Sequence, residues 1–111
     1  MINDKNDLFS RKLETKDVKI DGYGTFRIIE VSAEAQQNFE KVLEEKKSKI
    51  DAMCQLIVDS VIREDSSTLF SKEDIPKLKK LPVKPILELF NAILKLNKIG
   101  QEEVEDLAKN S

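Results

Sequence analysis

Few side chains in this sequence could carry out chemistry. Cys54 is the only cysteine and there is no histidine. A Ser-His-Asp or Cys-His nucleophile therefore cannot be assembled, and no base of matched pKa is present to activate the thiol. Cys54 lies in an apolar run, where a small buried hydrophobe is the simpler reading. One thiol without histidine makes neither a conventional zinc site nor an internal disulfide. Asp65, Glu73 and Asp74 fall near one turn and could hold a cation. Capping accounts for Asp74 more simply, and EF-hand spacing is missing. Most other carboxylates alternate with lysine on helix faces, as solvated surface does. The glycines at 22, 24 and 100 make no phosphate loop. The sequence thus assigns no catalytic, cofactor-binding or metal-ligating residue, and an enzyme is not expected.

Binding is the remaining class. Lys72, Lys77, Lys79, Lys80 and Lys84 form the one local excess of positive charge. They suit an acidic or phosphate partner, or simply a solvated helix face. No aromatic residues interleave with them for base stacking. The formal net charge of −2 also argues against nucleic acid, which asks for a basic surface. No apolar run approaches the ~20 residues of a membrane span. Met1 to Lys16 lacks the apolar core of a signal peptide, so the cytoplasm is the expected compartment.

These residues must be positioned by a small fold. At 111 residues the chain has the length of one domain with a modest core. Aromatic content of 5% with no tryptophan makes that core aliphatic. Residues 1–15 read as a flexible arm, with Leu8 and Phe9 as its docking side chains and one helical turn near Leu13. Asp17 to Val31 reads as a β-hairpin, because Val18 and Ile20 alternate with Lys19 and Asp21. Gly22-Tyr23-Gly24 supplies the turn. The return strand places Phe26 and Ile28 on one face and Arg27, Ile29 and Val31 on the other. A hairpin apolar on both faces must pack on helices and can meet a second copy of the chain through Phe26, Ile28 and Ile29.

Ser32 is a good N-cap for a helix carrying Ala35, Phe39, Val42 and Leu43. A break or bend is expected near Lys47-Ser48. Ile50 to Ile62 then forms the widest apolar stripe of the first half and belongs at the centre. After a polar loop, Ser71 with Asp74 reads as a capping box, and Phe70 can staple onto Ile75. The short helix stops by Pro82. With Pro85, that residue leads into the last main helix, where proline is tolerated in the first turn. Ile86, Leu87, Leu89, Phe90, Ile93, Leu94 and Leu96 give that helix two apolar stripes, and the second needs a partner. Leu87, Phe90, Ile93 and Leu94, with Leu69 and Phe70 nearby, are the expected partner-binding residues, since surplus apolar surface on a small domain marks an interface. Gly100 suits the residue after that helix, and Gln101 to Lys109 reads as an acidic tail helix. The fold class is α+β, mainly helical, with an N-terminal hairpin on a small bundle of about four to five helices.

One ordered set of signals resembles a known family. It runs Leu56-Ile57-Val58-Asp59-Ser60-Val61, a polar loop, Leu69-Phe70-Ser71-Lys72-Glu73-Asp74-Ile75, Leu78, Leu81-Pro82, and a helix ending Leu96-Asn97. Preceded by the Lys16 to Arg27 hairpin and the hinge Glu30-Val31-Ser32-Ala33-Glu34, it is similar to the tail assembly chaperones of long-tailed bacteriophages and prophages. The similarity spans about residues 16–110, through the closing Lys109-Asn110. Asp65-Ser66-Ser67 departs from the acidic-Gly pair of many relatives, which leaves that loop's conformation open.

The resemblance implies a non-catalytic assembly factor without cofactor. Such proteins bind the tape measure protein, keep it soluble in the host cytoplasm, and are shed as tail tube protein polymerises around it. They are missing from the mature virion. In many such phages a frameshifted longer product recruits the tube protein, and this chain would be the shorter form. Association into homo-oligomers fits the two-sided hairpin. A structural tail or head-completion protein retained in the virion is the alternative, followed by a small helical regulator.

Overall fold

The computed structural model describes residues 1–98. Strand β1 (Thr15–Ile20) and strand β2 (Gly24–Ile29) form the antiparallel hairpin, with Val18 opposite Phe26 and Asp17 opposite Arg27. Its turn closes through a hydrogen bond from Tyr23 N–H to Ile20 O at 2.9 Å. Gly22 and Gly24 take φ of 84° and 111°, which only glycine adopts without a Cβ penalty. Val18, Ile20, Phe26 and Ile28 face the core. On the opposite face Arg27 grips Asp17 across the strands at 2.7 and 3.2 Å.

Helix α1 (Lys5–Phe9) precedes the hairpin, closed at its start by Asp4 and Asp7. The turn expected near Leu13 is therefore earlier, where Asp4 can cap. Leu8 and Phe9 stay exposed rather than docking on the body. The segment is tied down by Arg11, whose guanidinium reaches both Glu30 oxygens at 2.7 and 2.8 Å.

Helix α2 (Ala33–Lys46) starts where the Ser32 hydroxyl accepts from Ala35 N–H at 3.0 Å. Lys47 then turns left-handed at φ 49°. Ser48 caps helix α3 (Lys49–Ser60) by accepting from Asp51 N–H at 3.3 Å. The expected break is thus a complete stop and restart. Every residue from Asp51 to Val58 is buried, and α2, helix α4 (Ile75–Lys79) and helix α5 (Val83–Leu96) pack around α3.

The sequence expectation differs from the structure at the end of α3. Val61 and Ile62 leave the helix and become strand β3 (Val61–Ile62), which pairs antiparallel with β2. The hairpin is therefore two strands of a three-stranded sheet ordered β1-β2-β3. Val61 N–H still donates to Ile57 O as the last helical bond, while Val61 O accepts from Leu69 N–H at 3.0 Å. The β-branched pair is at home in a strand. Val61 sits opposite Ile28, and both are fully buried.

A tight loop follows β3. Arg63 N–H donates to Ser67 O at 2.8 Å, and Ile62 bridges to Thr68. A 3-10 turn, Lys72–Asp74, leads into α4. The Asp74 carboxylate accepts from Ser71 N–H at 2.9 Å, the return half of the capping box. Phe70 and Ile75 both pack against the core.

Pro82 precedes α5 and Pro85 occupies its first turn, where a missing N–H costs nothing. One side of α5 lies on α3 and another on β1 and β2. The helix ends at Leu96, as the Leu96-Asn97 ending expects. Asn97 is its cap and Lys98 takes the left-handed conformation at φ 50°. Gly100 and the expected tail helix 101–109 lie outside the described residues. None of the described helices is long and apolar enough to cross a membrane.

Candidate partner-binding surfaces

The second apolar stripe of α5 has a partner inside the fold, the hairpin. Ile93 is fully buried, and Phe90 and Leu94 are buried as well. The Phe90 ring stacks on Phe39 of α2, with centroids 5.9 Å apart and planes 25° from parallel. Leu69 and Phe70 are half-buried against the same core. In the hairpin, Ile28 is fully buried, Phe26 packs on the core, and Ile29 is half-buried on the outer face beside Arg27. Of the apolar side chains marked out by sequence on α5, Leu87 is the one that points outward, at 42% exposure.

Leu87 is not isolated. Val83 lies one turn before it on the same helix face and is 56% exposed, and Leu81 just upstream is 39% exposed. Residues four apart on a helix are surface neighbours, so Val83 and Leu87 form a strip that Leu81 extends. Lys80 and Lys84 are exposed close by in sequence. Leu81 and Val83 were not selected by sequence because they precede the main run. The signal for Val83 was its spacing, four residues before Leu87 at a helix start set by two prolines.

A second surface is rich in lysine. A cleft of about 480 Å³ opens between the end of α2, the start of α3 and α4, lined by Lys46, Asp51, Lys72, Ile75, Pro76, Lys79 and Lys80. A smaller hollow of about 310 Å³ adjoins it through Lys46, Asp51, Lys72 and Ile75. Asp51 pairs with Lys79 Nζ at 3.0 Å. Its carboxyl is held below the usual range, first by the Ser48 hydroxyl and then by Lys79. Of the five clustered lysines, Lys72, Lys79 and Lys80 line this cleft, while Lys77 and Lys84 do not. Lys46, contributed by α2, could not be grouped with them from sequence.

The remaining reactive candidates have structural roles. Cys54 is fully buried, and burial pushes its thiol pKa up, the opposite of activation. The Asp65 carboxylate accepts from Ser67 N–H at 2.9 Å and from its hydroxyl at 2.6 Å. Asp74 caps Ser71, and Glu73 accepts from the Ser71 hydroxyl at 2.9 Å. These carboxylates are engaged in a turn and a helix start.

No protein-family model matches the chain, and no curated protein matches it. Among solved structures, it is similar to that of the bacteriophage HK97 tail assembly chaperone. The TM-score is 0.65 at 18% identity, over 83% of this chain and 91% of the other. At that identity the likeness is one of fold, and it takes in nearly all of the solved chain.

Proposed function

We propose that this chain is a non-catalytic tail assembly chaperone of a long-tailed phage or prophage, which binds the tape measure protein and keeps it soluble until tail tube protein polymerises around it. The observation carrying this reading is the fold shared with the HK97 tail assembly chaperone across most of both chains. The ordered motifs from Leu56 to Asn97 support it independently. In this reading residues 16–110 are the chaperone domain, residues 1–15 an arm, and the site of action is the host cytoplasm.

The surface for the partner is the strip Leu81, Val83 and Leu87, together with the half-buried Leu69 and Phe70. Phe90, Ile93 and Leu94 support that surface from beneath. A shallow apolar strip suits an amphipathic, coiled-coil-prone helix. Many weak contacts along a long partner hold it collectively yet release it stepwise. Self-association falls to the outer face of the hairpin at Ile29, with Phe26 and Ile28 as its packed underside.

Co-expression with the large helix-rich tail protein encoded downstream tests the reading. The partner is expected to become soluble and to co-purify. If it stays insoluble and unbound, the chain is not its chaperone. Mass spectrometry of purified particles separates a shed factor from a retained structural protein, since a chaperone is missing there.

A further inference from the structure

The outward face of α5 carries charge as well as apolar surface. Val83, Leu87, Asn91 and Lys95 follow one another at intervals of four, and all are exposed. Lys84, also exposed, neighbours Leu87 from three residues before it. Lys84 and Lys95 are eleven residues apart, about three helical turns or ~16 Å. Lys80 and Lys98 stand just outside the two ends of the helix and are exposed too. From Lys80 to Lys98 the single carboxylate is Glu88, which is half-buried. Among the described residues none of these four lysines forms a salt bridge, not even Lys84 with Glu88 one turn on. The solvated face of α2 is different: there Lys41 sits among Glu40, Glu44 and Glu45. On α5 the positive charge is left unbalanced around the apolar strip.

An occupant of this face must bury Val83 and Leu87 and match the lysines that flank them. Building on the chaperone reading and its strip, we propose that the seated partner segment is an acidic amphipathic helix. Two of its carboxylates, three turns apart, meet Lys84 and Lys95, while its apolar side chains cover Val83 and Leu87. A helix presents side chains at the same interval as the lysines of α5, so the pairs stay in register. The pattern selects among segments of a long partner. Stretches with acidic residues eleven apart are held, and lysine-flanked stretches are refused. An anionic membrane would also meet a lysine-flanked face, but insertion needs a wide apolar side. On α5 the residues that would widen it, Phe90, Ile93 and Leu94, are buried in the core.

The test titrates the full, isotope-labelled chain with two synthetic helical peptides. They share one leucine face and differ only at two flanking positions eleven residues apart, glutamate in one and lysine in the other. The glutamate peptide is expected to shift the amides of Lys84, Leu87, Asn91 and Lys95. It should bind ~10-fold more tightly than its twin, the scale of two exposed ion pairs. High salt should remove the difference, because such pairs are screened. Lys84→Glu/Lys95→Glu, altered at exposed side chains, should fold as the parent does and prefer the lysine peptide. Equal binding of the two peptides, no binding, or shifts confined to other residues would overturn the proposal. So would a larger response to vesicles of phosphatidylserine and phosphatidylcholine, which assigns the face to a membrane. Concentration-dependent shifts of the same amides without peptide would assign it to a second copy, with the same consequence. No tape measure protein enters these measurements. Failed co-expression would undo the chaperone reading, whereas equal peptide binding would undo the charge pattern alone.

Discussion

The backbone N–H of Val31 donates to the side-chain oxygen of Asn97 at 2.6 Å, joining residues 66 positions apart. The Asn97 amide group donates in turn to Ile93 O at 2.7 Å. One side chain thus closes α5 and anchors it to the hinge between β2 and α2. Asn97→Ala leaves the half-buried Val31 donor without its partner, which costs about 1–3 kcal/mol. Urea denaturation should show that loss, and the Val31 amide should exchange faster with solvent. A variant as stable as the parent would reduce this bond to a surface detail.

Ser66 stands where the resemblance expects glycine, and its φ of 73° shows why glycine suits the loop. A left-handed L-residue costs about 1–2 kcal/mol, and the flexibility of glycine in the unfolded chain returns about 0.5–1 kcal/mol of that. Ser66→Gly should therefore stabilise the protein by roughly 0.5–1 kcal/mol in thermal or urea unfolding. The Asp65 cap on Ser67 stays in place, so the gain should come without a change in the loop.

Such local features were legible because each side chain reports on its own backbone. Gly22 and Gly24 mark a turn, Ser48 a restart, and Ser71 with Asp74 a helix start. The features missed were non-local. Val61 continues the helical spacing of Ile57 and Val58, and only pairing opposite Ile28 decides that it is strand. The two stripes of α5 were visible, but not that the hairpin would cover the second. Lys46 joined the lysine cleft for the same reason: it is far in sequence from Lys72 and meets it only when α2 and α4 pack on α3.

Acid should weaken this fold through particular carboxylates. Asp51 is held below its ordinary pKa by Ser48 and Lys79, and Asp17 by Arg27. Glu30 is lowered by the Glu14 backbone N–H and then by Arg11, and Asp65 by Ser67. A depressed folded-state pKa means stability that is present above the unfolded value and lost as pH falls through the folded one. With unfolded values of about 4, the urea midpoint should be level from neutral pH down to about 5 and drop below about 4. Asp51→Asn should lower the midpoint at neutral pH and make the acid drop shallower. An unchanged acid profile in that variant would mean that the Asp51–Lys79 pair does not couple to folding.

The two sides of α5 should separate stability from binding. Phe90 stacks on Phe39 in the core, so Phe90→Ala should destabilise by about 3–5 kcal/mol, and Phe90→Asp or Leu94→Asp should unfold the domain. Leu87 and Val83 are more than 40% exposed, and surface substitutions away from special features usually stay within about 0.5 kcal/mol. Val83→Asp/Leu87→Asp should therefore keep the parent's circular dichroism and melting point. Because a charge in the strip opposes burial against an apolar helix, the same variant should fail to solubilise the co-expressed tape measure protein. A folded double variant that still holds the partner in solution would remove the strip from the binding surface and shift attention to Leu69 and Phe70.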